Sequence, residues 1–128
     1  MALNSVEYKT LVYHTAWLQI AVKPDLVSLG AELYSTGLTS QLNEIRNSRF
    51  SMDKRASDLV QYIQLKVQMD PRNYHTFVDV LREDQLLYGG IRRELQKTYT
   101  KFHQHPNGKY LLFIPGLYLY TSFHLGGG

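Results

Sequence analysis

The chain has 128 residues, 44% hydrophobic and 20% charged, with a formal net charge of +3. That length fits one domain plus a tail, and a chain of this size buries roughly two-thirds of its unfolded surface, enough for a core without staples. Zero cysteines exclude a disulfide framework, a thiolate zinc site and a cysteine nucleophile, and a charge of +3 is too small to argue for nucleic acid on its own.

No basic segment followed by an apolar core opens the chain, so no secretory signal is expected, and the lack of cysteine fits a reducing, cytoplasmic setting. Val6 to Val22 reads as a first helix with a broad apolar face of Val6, Leu11, Val12, Ala16, Trp17, Ile20 and Ala21. Trp17, the only tryptophan, is expected to fill the core. Pro24 opens a second helix with Asp25 in its first turn and Leu26, Leu29 and Leu33 inward, and Gly37 ends it. Thr39 or Ser40 then caps a short third helix that buries Leu42 and Ile45.

Ser51 to Leu81 carries the clearest pattern. Ser51 is the N-cap of a fourth helix, with Asp53 in the first turn and Ala56, Leu59, Val60, Ile63 and Val67 along one face. Asp70-Pro71 makes a corner, and Tyr74, Phe77, Val78 and Leu81 form the apolar face of a fifth helix. Gln85 onward reads as a sixth helix with Leu86, Leu87, Ile91 and Leu95 inward. Gly89-Gly90 lies inside it. Each glycine costs about 1 kcal/mol against alanine, so the pair predicts a weak or bent helix, or close backbone packing.

After Lys97 the helical pattern gives way. His105-Pro106-Asn107-Gly108 is a turn signal, and residues 117–125 alternate as in a strand. The tail, 98–128, is expected to be irregular and apolar. It forms either a hairpin pairing Tyr99–Phe102 with Tyr110–Phe113 or a disordered extension, with Gly126–Gly128 as a flexible end. Tyr110 to Leu125 falls short of the roughly 20 residues a membrane helix needs, and Pro115-Gly116 breaks it, so no membrane anchor is expected. The expected fold is all-α, a six-helix antiparallel bundle over residues 1–97.

No nucleotide-binding, metalloprotease or serine-hydrolase motif is present. His103, His105 and His124 lack a nearby cysteine or aspartate, and His14 and His75 are single helical residues. No enzyme activity, cofactor or metal is expected.

Gly37-Leu38-Thr39, Ile45, Lys54-Arg55-Ala56 leading into Leu59 and Ile63, and then Tyr74, Phe77 and Leu81 resemble the caspase recruitment domain (CARD) of the death-fold superfamily, over about residues 5 to 97. Three features depart from that pattern. Leu42 stands where the family often has an acid, with Glu44 the nearest one; Gly89-Gly90 interrupts the sixth helix; and the tail is long. These departures leave a death domain or another death-fold subfamily open.

The resemblance implies a Greek-key helix order and an adaptor in apoptotic or innate immune signalling. Its partners are other CARD or death-fold proteins, a caspase among them, with homo-oligomers or filaments as the assembled form. In that family acidic second- and third-helix surfaces meet basic first- and fourth-helix surfaces. Carried over, this sets Asp25, Glu32 and Glu44 against Lys54 and Arg55, with Asp58 orienting the cations and Lys9 beside them. Each exposed pair contributes only about 0–1 kcal/mol, so specificity must come from repetition and steering.

Two other functions compete. A helical nucleic-acid binder is suggested by Arg92-Arg93, Lys97, Lys101 and Lys109 with Tyr99 and Phe102 interleaved. A structural scaffold bundle is suggested by the aromatic tail, which it would use for docking.

Overall fold

Ser5 opens the first helix. Its hydroxyl oxygen accepts from the Tyr8 amide at 3.1 Å, and Glu7 stands in the first turn, where the helix dipole favours a negative charge. The computed structural model describes residues 5–40, 42–104, 109–114 and 117–124. The described residues from 5 to 104 form an all-helical body, and 109–114 and 117–124 form a two-stranded antiparallel sheet.

The expected first helix is two helices, α1 (Val6–Tyr13) and α2 (Thr15–Ala21). The break is at His14, with φ −99° and ψ 14°. The Thr15 hydroxyl donates to the Val12 carbonyl at 2.9 Å, and the His14 amide closes a tight turn onto Leu11 at 3.2 Å. Such local hydroxyl bonding competes with the helical ladder and bends it. Pro24 sits in a single 3-10 turn, Lys23–Asp25, from which α3 (Leu26–Ser35) starts, burying Leu26, Leu29 and Leu33. Gly37, at φ +80°, ends α3 as expected. The Leu38 amide reaches back to the Leu33 carbonyl at 2.9 Å and the Gly37 amide to Tyr34 at 3.1 Å, the paired bonds of a left-handed helix cap. The short α4 (Leu42–Arg46) buries Ile45 completely, whereas the side chain of Leu42 lies outside the described residues.

α5 (Met52–Met69) is the central helix. Ser51 caps it by accepting from the Lys54 amide at 3.1 Å. Ala56, Leu59, Val60, Ile63 and Val67 are buried, and the helix packs against α1, α2, α3, α4 and α6 (Arg72–Val80). At the corner the Asp70 carboxylate accepts from the Arg72 amide at 3.0 Å, and Asn73 donates to the Lys66 carbonyl at 2.9 Å. Tyr74, Phe77, Val78 and Leu81 are buried against the core.

α7 (Leu86–Gln104) runs unbroken through the glycine pair and past the expected boundary at residue 97, burying Thr98 and Phe102. Tyr99–Phe102 is therefore helical and pairs with no strand. Instead β1 (Lys109–Ile114) pairs antiparallel with β2 (Leu117–His124), Ile114 opposite Leu117 and Lys109 opposite His124. The residues of the expected turn, 105–108, and Gly126–Gly128 lie outside the described residues. α1 and α2 run antiparallel to α7: the Tyr13 and Phe102 rings lie 5.6 Å apart, His14 meets Thr98, and Trp17 and Ala21 face Leu87 and Ile91. Among the described residues no helix is long and apolar enough to cross a membrane.

Of the alternatives at the glycine pair, close backbone packing is what occurs. A Cβ on Gly89 would stand 2.7 Å from the Glu83 carbonyl oxygen, so the α6–α7 connection is pressed against the helix backbone there. A Cβ on Gly90 would meet only the Arg93 side chain, at 3.9 Å. Gly89→Ala should therefore destabilise by about 1–3 kcal/mol through forced displacement of that connection. Gly90→Ala should stabilise by up to about 1 kcal/mol from helix propensity. Urea denaturation of the two variants checks the opposite signs, and equal midpoints would contradict the packing argument.

Candidate interaction surfaces

The residues expected to make two charged patches are divided differently in the fold. Asp25 is held inside the bundle's own bonding, accepting from the hydroxyl of the buried Tyr88 and tying the 3-10 turn to α7. Burial first, and then this bond and the charges of Asp25 and Glu32, push the Tyr88 hydroxyl well above its ordinary pKa. Asp25 and Glu32 thus lie near one another, as their spacing predicts. Glu32 also borders a cleft of about 460 Å³ between α3 and α6, with Thr76, Asp79 and Arg82 across from it. The cleft hydroxyls of Ser35 and Thr36 are spent on helix carbonyls, at 2.7 and 2.8 Å.

Glu44 does not join that group. It accepts from Tyr62 of α5 at 2.9 Å, and the Tyr62 hydroxyl is raised by burial, by this bond and by the charges of Glu44 and Asp58. Glu44 thus stands beside the cations it was expected to oppose. Lys54 is exposed and pairs with Asp58 at 2.9 Å, one turn along, while its ammonium lies 4.9 Å from the Phe50 ring centre. Arg55 turns inward. One terminal nitrogen donates to the Ile45 carbonyl at 3.2 Å, filling an acceptor that the short α4 leaves open at its end. Its Nε is buried and has no hydrogen-bond partner among the described residues. Arg55 is a strut between α4 and α5 rather than a free surface cation. Lys9 is half-buried on α1.

The basic and aromatic residues near the C-terminal end of α7 are also engaged. Arg92 donates to the Val78 and Leu81 carbonyls, each at 3.3 Å, closing the end of α6. Lys97 pairs with Glu94 at 3.2 Å. Phe102 is buried, and Tyr99 stacks between Tyr74, at 5.2 Å, and His103, at 5.7 Å. Those ring faces are filled from within the fold and are not open platforms for bases. Among the described residues no group of three or more His, Cys, Asp or Glu is placed to hold a metal ion.

Apolar surface is the feature that the sequence pattern misplaces. Leu86, expected inside, is 93% exposed, and Trp17 is only partly buried. Together with Ala21, Leu87, Gly90 and Ile91 they line a groove of about 480 Å³ between α2 and α7, with Arg93 and Glu94 on its rim. A second apolar feature lies on α5, where Leu65 and Met69, one turn apart, are 46% and 70% exposed, flanked by Lys66 and Asp70. At about 100° per residue Leu86 stands on the opposite side of α7 from Leu95, in line with Gly90 and Arg93, so it faces away from the buried stripe of Tyr88, Ile91 and Leu95. Comparisons with protein-family models, with curated proteins and with solved structures return no match for the chain.

Lys54→Glu should shift stability by no more than about 0.5 kcal/mol, as for an ordinary surface site. Arg55→Glu should cost about 3 kcal/mol or more, since it buries an unpaired carboxylate facing a carbonyl oxygen. Denaturant midpoints for the two variants distinguish the surface cation from the strut.

Proposed function

We propose that the chain is a homotypic protein-interaction module of the death-fold type, a CARD-like adaptor that joins like domains in apoptotic or innate immune signalling. Counting α1 and α2 as one broken helix gives six helices, a number compatible with this reading. The observation that carries the reading is a pair of unlike apolar surfaces on one domain: the groove between α2 and α7, and the Leu65–Met69 ridge on α5. Two different surfaces that fit one another make a heterologous contact, which repeats into an open filament when it does not close.

The occupant of the groove is the ridge of a second copy. Charges at the two surfaces match. Arg93 and Glu94 edge the groove, and Asp70 and Lys66 edge the ridge, so each surface offers both signs of charge, although Asp70 also pairs with Arg72 and Glu94 with Lys97. Arg93 and Lys66 make no ion pair with other described residues, which leaves both available for that contact. Apolar burial then supplies most of the affinity and the charges fix direction. This shifts the weight from the charged residues of α3 and α5 to apolar side chains that the fold leaves uncovered.

Light scattering over a concentration series tests the arrangement. Leu86→Glu and Met69→Glu each leave the core untouched. Burying one such side chain contributes about 1.5–3 kcal/mol, so each variant should raise the concentration needed for assembly roughly ten- to a hundredfold. Mixed together, the two variants retain one intact groove and one intact ridge between them, and should stop at a heterodimer. A wild-type chain that stays monomeric throughout, or variants that assemble as it does, would refute the proposal.

A further inference from the structure

We infer that the seam between α2 and α7 is an acid-operated hinge, in which protonation of His14 loosens α2 from α7 and spoils the groove that the homotypic reading assigns to a second copy. His14 occupies the break between α1 and α2, the one residue in that pair of helices without helical backbone angles. Its Nε2 lies 2.6 Å from the Thr98 hydroxyl of α7, a side chain only 8% exposed. Its ring is packed against Tyr13 at 4.9 Å and against the groove wall, Trp17, at 5.3 Å. One imidazole therefore touches the break, the partner helix and the groove together.

The surroundings favour the neutral ring. Burial holds His14 below its ordinary pKa, and the charge of Glu94 on α7 acts weakly the other way. The rings of Tyr13 and Trp17 face it from the adjoining helices, and Glu94 is already shared with Lys97 at 3.2 Å. The neutral ring shares one hydrogen bond with the Thr98 hydroxyl, as donor or acceptor according to its tautomer. A protonated ring can only donate through Nε2, and it leaves a half-buried cation in the seam between α2 and α7. Because the folded seam holds the proton less well than the unfolded chain, the contribution of His14 to stability is complete above about pH 6.5. It is lost as pH falls through the window below that value.

Docking and protonation oppose each other through Glu94. A second copy's Lys66 placed on the groove rim compensates the one carboxylate that supports a charged His14, so the docked state binds the proton still less well. By reciprocity the protonated state binds the second copy less well by the same factor.

The single tryptophan makes the hinge observable without any assembly, because loosening α2 from α7 exposes the partly buried indole to water and moves its emission to the red. The full chain is titrated from about pH 7.5 to about pH 5, spanning histidine protonation, with Trp17 emission and scattering mass read together. The expected result is an emission step centred below about pH 6.5. Over the same window the mass falls at least about twofold, and both changes are absent in His14→Gln, whose amide keeps an acceptor for Thr98. Should His14→Gln fold poorly, Glu94→Gln provides the second variant, moving the step to lower pH. His75 stands beside Glu7, Tyr74 and Tyr99, and His103 beside Tyr99, so His75→Gln should leave the emission step in place. Flat emission across the range, or a step that survives in His14→Gln, would overturn the hinge. A step without any assembly at either end of the range supports the hinge and removes the homotypic reading alone.

Discussion

The structure depends on the apolar stripe of α5. Ala56, Leu59, Val60, Ile63 and Val67 recur at helical spacing, and five other helices close on them. No other helix has so many neighbours. α5 must therefore be straight, capped and correctly ended before the rest is placed. Ser51 fixes its start, and the Asp70 corner, braced by Asn73 on the Lys66 carbonyl, fixes its end. Arg55 belongs to the same scaffold. It spans from the first turn of α5 to the last carbonyls of α4, and holds a five-residue helix that has too few internal bonds to persist alone.

This dependence explains which parts of the chain were legible. Ser51, the α5 and α6 stripes, the Asp70-Pro71 corner and Gly37 are local signals whose physics is complete within a few residues, and they appear as the pattern predicts. The break at His14 was not legible, because its cause is Thr15 bonding backwards, a choice open to any threonine in a helix. The end of α7 was missed for another reason. Tyr99 and Phe102 suit a strand by propensity, but Tyr99 fits between Tyr74 and His103, and Phe102 against Tyr13, only if the helix continues.

The surfaces were the least legible part. Charge on a sequence does not say whether a side chain faces water or a carbonyl. Asp25, Arg55 and Arg92 were all candidates for contact with a partner, and all three are used within the bundle. Leu86 shows the converse error. At about 100° per residue it stands on the opposite side of α7 from Leu95, in line with Gly90 and Arg93, and is exposed. That it lines a groove with Trp17 follows only from the placement of α2 against α7, which is fixed by contacts distant in sequence, such as His14 with Thr98.

The glycine pair joins these observations. Gly89 is required by the fold, because the Glu83 carbonyl occupies the place of its side chain. Gly90 is not required. It weakens the helix by about 1 kcal/mol with nothing inside the bundle pressed against it, and it lines the groove beside Trp17 and Leu87. A helix that bears such a cost on its groove side offers bare backbone for close approach from outside. The same groove carries the most exposed leucine of the described residues and the only tryptophan of the chain. An exposed leucine alone is ordinary on a protein surface. A glycine without an internal reason, an uncovered leucine and a half-covered tryptophan on one concave surface are the features on which the proposed site for another chain rests, beside the seam where His14 meets Thr98.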